Sequence, residues 1–170
     1  DLQDAYKSIR ESLYQAGTYN DRKTVLSFIN SEKLTKENVA EQLAGVDGIV
    51  ICPGFGQRGT EGKIIAAHYA RTNDLPTVGI CLGMQMMVIE FARNVLGYED
   101  ANSREMDEKT EHNVIDIMEE QKNITNMGGT MRLGAYECVL KQTSRVIDIY
   151  KHEHIQERHR HRYEFNNDFQ

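Results

Sequence analysis

Between Gly48 and Gly83 the chain twice runs from a short β-branched segment into a turn and then into a helical pattern, and few folds accept that order. Ile49-Val50-Ile51 is a continuous apolar run ended by Pro53 and Gly54, as expected of a strand covered on both faces in a parallel sheet. Thr77 to Ile80 reads as the next strand. Ile64, Ile65 and Ala67 mark a helix between the two, and Met84, Met87, Val88, Phe91 and Val95 mark a strongly amphipathic helix after the second. Such alternation, with short connections, predicts an α/β fold: a doubly wound, mostly parallel sheet with helices on both faces, whose ligands bind beyond the carboxyl ends of the strands.

The flanking segments extend this pattern. Tyr6, Ile9, Leu13 and Ala16 recur at helical spacing, with Asp4 as N-cap and Gly17 as C-terminal stop. Val25 to Ile29 reads as a strand, followed by a helix with Thr35 as N-cap and Leu34 and Val39 spaced as a hydrophobic staple. After about residue 100 the alternation ends: Val114–Met118 and Ala135–Leu140 read as strands with no helix between them, so β-hairpin additions are expected there. No repeat, low-complexity tract or linker is evident, and 170 residues suit one domain spanning 1–170.

Charge and cysteine content narrow the function classes. A formal net charge of -6 opposes a general nucleic-acid binder. No apolar run is long enough to cross a bilayer, and the first residues, DLQDAYKS, lack a signal peptide, so no membrane partner and a cytoplasmic location are expected. Cys52, Cys81 and Cys138 form no CxxC pair and suit a reducing compartment. The pairs His152-x-His154 and His159-x-His161 raise zinc, but no partner follows a known ligand spacing, and no metal is expected. A P-loop is excluded, because Gln57 stands where its first glycine is needed and Ile64 follows Lys63.

The turn that carries chemistry is Gly79-Ile80-Cys81-Leu82-Gly83, a G-x-nucleophile-x-G pattern where a strand meets a helix. A nucleophile on so sharp a bend takes a strained backbone, and the two glycines let neighbouring chain pass without a Cβ clash. At the amino end of the following helix, unpaired N–H groups and the helix dipole favour a thiolate. The N–H of Leu82 is one donor for an oxyanion, with a second expected from the turn at Gly54. Together these describe acyl transfer through a Cys81 thioester; the bland alternative is a buried, inert cysteine, the role expected of Cys52 and Cys138 inside strand runs.

GICLGMQ, from Gly79 to Gln85, resembles the nucleophile turn of the class I, or triad-type, glutamine amidotransferases, which share a flavodoxin-like doubly wound fold. Gly128-Gly129-Thr130-Met131-Arg132-Leu133-Gly134 and the run Glu157–Glu164, ERHRHRYE, resemble signatures of the CTP synthase family among them. The resemblance covers essentially the whole chain. It implies Cys81 as nucleophile, Gly54 and Leu82 as oxyanion donors, and Gly54, Phe55, Leu82, Gln85, Glu105 and Arg162 as ligands of L-glutamine. It also links Arg132 to activation by GTP. A free amino acid presents an ammonium and a carboxylate, which Glu105 and Arg162 complement. On one continuous strand, Arg158, Arg160 and Arg162 would share one face, and His159, His161 and Tyr163 the other.

For a whole family member the resemblance implies a partner synthetase domain on the same polypeptide, which uses ATP and Mg2+ to aminate UTP to CTP. It also implies a homotetramer held largely through that domain, whereas this domain would need no cofactor and could be a monomer in isolation. The family's triad is completed by a His and a Glu of a His-Pro-Glu segment, absent from residues 1–170, and a strand is expected ahead of Asp1. The chain is thus expected to be an excerpt of a longer product, inactive alone. The family's turn has a proline and two glycines where Cys52-Pro53-Gly54 stands, so the oxyanion donor must come from Gly54 or beyond. The alternatives are a catalytically silent glutamine-binding or subunit-contact fragment, another triad amidotransferase of the GMP synthase type, or a γ-glutamyl hydrolase.

Overall fold

A computed structural model describes residues 3–117 and 132–170, in two compact units that divide between Gly97 and Tyr98.

The first unit opens with a 3-10 turn, Gln3–Tyr6, and helix α1, Lys7–Tyr19. The expected helix is present, but Gly17 does not stop it. The chain reverses beyond Tyr19 and folds back, so that Arg22 N–H donates to Gly17 O at 2.8 Å. A Cβ on Gly17 would lie 2.1 Å from Thr24 Oγ1, so this glycine makes room for a close approach. Tyr6, not Asp4, occupies the N-cap position.

Val25–Ile29 is not a strand: the segment carries no β-ladder, and Val25 and Phe28 are 77% and 53% exposed. β-branched residues fit a half-buried pleated surface, and without a partner strand that preference forms no ladder. A 3-10 turn at Ser31–Lys33 follows, then the single turn of α2, Val39–Gln42. Its N-cap is Asn38 rather than Thr35; Asn38 Oδ1 accepts the Thr35 N–H at 2.8 Å, and Asn38 Nδ2 donates to Lys33 O at 2.8 Å. Leu34 and Val39 are both buried, in one cluster with Leu43 and Ala66.

Strands β1, Ile49–Ile51, and β2, Thr77–Gly79, pair in parallel, Val50 opposite Val78 and Ile51 opposite Gly79. Helix α3, Thr60–Thr72, connects them, and α4, Leu82–Asn94, follows β2. The core of this part is Ile51, Ile64, Ala67 and Ala70 with Leu82, Met86, Ile89 and Ala92. Full burial of Met86 and Ile89 contributes roughly 1.5–3 kcal/mol each. The amphipathic face expected of α4 is the wrong one. Met84, Phe91 and Val95 are 39–46% exposed, while Leu82, Gln85, Met86, Ile89 and Glu90 point inward. The buried Glu90 misleads a hydrophobicity count: Arg71 and His68 of α3 reach it, with Arg71 Nη2 2.8 Å from Glu90 Oε1 and His68 Nδ1 at 2.8 Å. In β1, Ile51 is buried and Ile49 and Val50 are half-buried, while Val78 of β2 is 58% exposed.

The second unit holds a three-stranded sheet in the order β3 (Asn102–Ser103), β4 (Asn113–Ile117), β7 (Tyr163–Phe165). β4 runs parallel to β3 and antiparallel to β7, with Ile117 opposite Tyr163. A separate antiparallel pair joins β5, Arg132–Val139, to β6, His154–His161, through helix α5, Arg145–Tyr150. The strands expected near 114 and 135 are present but do not pair with each other. Met118 and Gly128–Met131 lie outside the described residues.

Candidate active site

The bend between β2 and α4 has the backbone that the G-x-C-x-G spacing requires. Cys81 has φ 54° and ψ -112°, left-handed for a residue with a Cβ, and it is exposed at the N-cap of α4. Holding it there costs about 1–3 kcal/mol, which the surroundings must offset. Both glycines are sterically obligatory. A Cβ on Gly79 would sit 2.6 Å from Met84 N, and one on Gly83 would sit 1.9 Å from Ile51 O. The bend is tied by Ile80 N–H to Ile51 O at 3.0 Å and Gly83 N–H to Ile80 O at 2.9 Å. Leu82 is the first residue of α4, so its N–H belongs to the orphan donors of a helix start, where the dipole also favours negative charge.

The turn after β1 lies against this bend. A Cβ on Gly54 would be 3.3 Å from Leu82 Cδ2 and 3.4 Å from Lys63 Nζ. Lys63, in the first turn of α3, donates from Nζ to Cys52 O at 2.8 Å and reaches Pro53 O at 3.5 Å. Burial lowers the pKa of the Lys63 ammonium, and Coulomb attraction to Cys52 and Cys81 opposes that shift. Burial raises the Cys52 thiol, and Lys63 counters. Cys52 and Cys138 are half-buried rather than sealed in the core. Phe55 is 90% exposed, and Gln85 is buried one turn into α4. The first unit therefore brings Gly54, Cys81 and Leu82 together, with Lys63 as an unanticipated neighbour. Its only sequence signal is a lysine at the wrong end of a helix dipole, among the buried positions Gly62, Ile64 and Ala66.

In the second unit, Glu105 and Arg162 both bear on Tyr163. Burial raises the Tyr163 pKa, Glu105 adds to the rise and Arg162 opposes it. Glu105 follows β3 on a tight turn held by the fully buried Ser103, whose Oγ accepts the Glu105 N–H at 3.2 Å while its carbonyl accepts the Met106 and Asp107 N–H groups. Ser103 is a second residue missed by sequence reasoning, which offered no signal for it. Arg104 leans the other way, 3.4 Å from the buried Asp116. Arg162 does not share a face with Arg158 and Arg160. The ladder of β6 ends at His161 and β7 begins at Tyr163, so the two-residue period breaks at Arg162, which is half-buried where Arg158 and Arg160 are exposed. The backbone of Arg132 pairs with His161.

Among the described residues, no group of three or more His, Cys, Asp or Glu is arranged to hold a metal ion. His159 Nδ1 lies 2.8 Å from His161 Nε2, and His161 Nδ1 lies 3.0 Å from Tyr163 O, so these rings are engaged with each other and the backbone. Among the same residues, no helix is long and apolar enough to cross a membrane.

A parallel β–α–β segment leading into a strained cysteine at a strand–helix bend defines a nucleophile-elbow α/β protein. The family model for "Glutamine amidotransferase class-I" matches residues 1–170, and the chain belongs to that family. It is 74% identical over 169 residues to a CTP synthase of Bacteroides fragilis, and 75% identical over the same length to one of Bacteroides thetaiotaomicron. The match takes in 99% of this chain and 32% of each of those proteins, so the chain spans about a third of their length. Among solved structures, it is similar to a Trypanosoma brucei CTPS glutaminase domain with bound acivicin, with a TM-score of 0.92 and 38% identity, covering 99% of this chain and 65% of that one. The fold is thus that of the class I amidotransferases, with mixed and antiparallel strands accompanying the parallel pair.

Proposed function

We propose that residues 1–170 form a single glutamine amidotransferase domain that hydrolyses L-glutamine through a Cys81 thioester. The observation that carries this reading is the left-handed backbone of an exposed Cys81 at the amino end of α4; a cysteine that merely filled the core would have no use for that strain. The thiolate attacks the carboxamide carbon, and the C–S bond forms as the oxygen takes negative charge between the N–H groups of Leu82 and Gly54. The C–N bond then breaks, the nitrogen leaves as ammonia after gaining a proton, and water cleaves the thioester to glutamate. Proton transfer is the work of an imidazole, which the family resemblance assigns to a His-Pro-Glu segment; that sequence does not occur within residues 1–170. Gln85, Phe55, Glu105 and Arg162 complete the glutamine contacts in this reading, with Glu105 taking the ammonium and Arg162 the carboxylate.

The wider role is that of the ammonia source in CTP synthase: a synthetase domain of the same polypeptide uses ATP and Mg2+ to convert UTP to CTP, with GTP as activator acting through Arg132, in a cytoplasmic homotetramer. Identity of 74–75% to proteins named CTP synthase supports it. A glutamine-mimicking electrophile is expected to label Cys81, with free glutamine protecting it and Cys81→Ser abolishing the adduct. Labelling that persists in Cys81→Ser at the wild-type level overturns the reading.

A further inference from the structure

Ser103 is sealed from solvent, 0% exposed, although Arg104 and Glu105 follow it at once. Burying polar groups is costly unless they are hydrogen-bonded. Here they are spent on the residue's own turn: the N–H donates to Asn102 Oδ1 at 2.9 Å, Oγ accepts the Glu105 N–H at 3.2 Å, and the carbonyl accepts the Met106 and Asp107 N–H groups at 2.9 and 3.0 Å. β4 fixes the same turn from beside it. The Arg104 N–H donates to Ile115 O at 2.9 Å, and Arg104 Nε lies 3.4 Å from Oδ1 of the buried Asp116. The ladder between the strands also skips a residue at this point: Asn102 stands opposite Asn113 and Ser103 opposite Ile115, so β4 carries Val114 as an extra residue. Such a bulge bends the strand, re-aims the side chains beside it, and is over-represented next to active sites.

We propose that Ser103 is a positioning residue that makes the glutamine site selective for the α-amino group: its hydroxyl fixes the backbone from which the Glu105 carboxylate reaches the substrate ammonium. A serine oxygen that accepts from the N–H two residues on closes a turn around the residue between them, here Arg104. The direction of the Glu105 side chain is then set by main chain that the hydroxyl and the β4 contacts hold, and a charge-assisted hydrogen bond loses strength steeply when its angle departs from linear. The pull of Asp116 on Arg104 acts to the same end, because it draws the cation adjacent in sequence to Glu105 toward β4.

The inference rests on Glu105 taking the ammonium in the proposed function, and the test separates the two. Alkylation of Cys81 by iodoacetamide is followed by mass spectrometry of its peptide in the full chain, at rising concentrations of L-glutamine or of 4-carbamoylbutanoate, which is glutamine without its α-amino group. The readout is the ratio of the two half-protecting concentrations, in which any change of the alkylation rate itself cancels. Ser103→Ala should raise the half-protecting concentration of glutamine by about 3- to 10-fold and that of the analogue by less than about 2-fold, so that the ratio falls. Ser103→Cys, which keeps the volume with a poor acceptor, should behave as Ala does, and Ser103→Thr, which keeps the hydroxyl, should restore the ratio. In a Glu105→Gln background, Ser103→Ala should change glutamine protection by less than about 2-fold, because the two residues act through one contact. A ratio unchanged in Ser103→Ala and Ser103→Cys while Glu105→Gln lowers it overturns this inference and leaves the glutamine reading standing. Equal weakening of both ligands, or loss of native circular dichroism in both variants, overturns it as well, since Ser103 would then brace the fold alone. A ratio that Glu105→Gln leaves unchanged removes Glu105 as the ammonium ligand, and the role of Ser103 with it.

Discussion

The Cβ that Gly83 lacks would sit 1.9 Å from the carbonyl oxygen of Ile51, the last residue of β1. The start of α4 is therefore pressed against the carboxyl end of the neighbouring strand, and the obstacle is backbone rather than a side chain that could swing aside. Gly83→Ala should destabilise the first unit by about 2–4 kcal/mol, an overpacking cost at the upper end for one methyl group because the strand itself must move. Urea unfolding checks this, and a loss under about 1 kcal/mol would show that the contact relaxes freely.

The residue between the glycines carries the opposite expectation. Cys81 holds φ 54° and ψ -112°, which a residue without a Cβ adopts with far less strain. Cys81→Gly should raise stability by about 1 kcal/mol while removing all reaction with thiol reagents at this position. A gain in stability at the cost of the reactive group is what a strained functional site entails. Equal or lower stability of the glycine variant in thermal melts would mean that side-chain contacts of the sulfur outweigh the strain.

How much of this was legible beforehand follows from which physics each feature uses. Gly79, Cys81 and Gly83 were readable because the bend places a steric demand on fixed neighbours in sequence. β1, α3, β2 and α4 were readable from local periodicity. The face of α4 was not: Glu90 is buried only because Arg71 and His68 reach it from another helix, a fact no single-helix pattern contains. Val25–Ile29 failed for a related reason, since its residues suit a strand but a ladder needs a second strand beside it. A two-residue period puts Arg162 in phase with Arg158 and Arg160, and the interruption between β6 and β7 that resets it has no punctuating glycine or proline. Lys63 and Ser103 act through main-chain groups far from them or around them, which side-chain chemistry read along a sequence does not reveal.

Asp100 supplies a pH dependence. Its carboxylate accepts from the His112 ring and from the Glu111 and His112 N–H groups, while His112 stacks on Tyr98 with ring centroids 4.2 Å apart. The His112 ring, ahead of the two backbone donors, holds the Asp100 pKa down to about 2 from an ordinary 3.8. Because the folded value is the lower one, the stabilisation is present above pH about 4 and is lost as the pH falls through about 2. Asp100→Asn should therefore be less stable than wild type near neutrality, with the difference shrinking below pH about 4. Urea midpoints of the two proteins taken between those limits check it, and a difference that stays constant with pH would assign the effect to shape rather than charge.

Glu105 gives the sharpest division between the turn that reacts and the residues proposed to recognise. It is held by Ser103 on a turn of the second unit and shares the neighbourhood of Tyr163 with Arg162, whereas the bend at Cys81 belongs to the first unit. Glu105→Gln removes the charge and keeps the length; if this carboxylate takes the substrate ammonium, about 1.5–3 kcal/mol of charge-assisted hydrogen bonding is lost, or roughly 10- to 100-fold in glutamine affinity. Arg162→Met should cost a similar factor through the carboxylate end. The measurement is protection: the glutamine concentration that halves labelling of Cys81 by a glutamine-mimicking electrophile should rise by that factor, while alkylation by iodoacetamide, which makes no use of either charge, should proceed at the wild-type rate. A fall in both rates together would mean that the substitution disturbs the fold, and unchanged protection would remove Glu105 from the glutamine site while leaving Cys81 as its nucleophile.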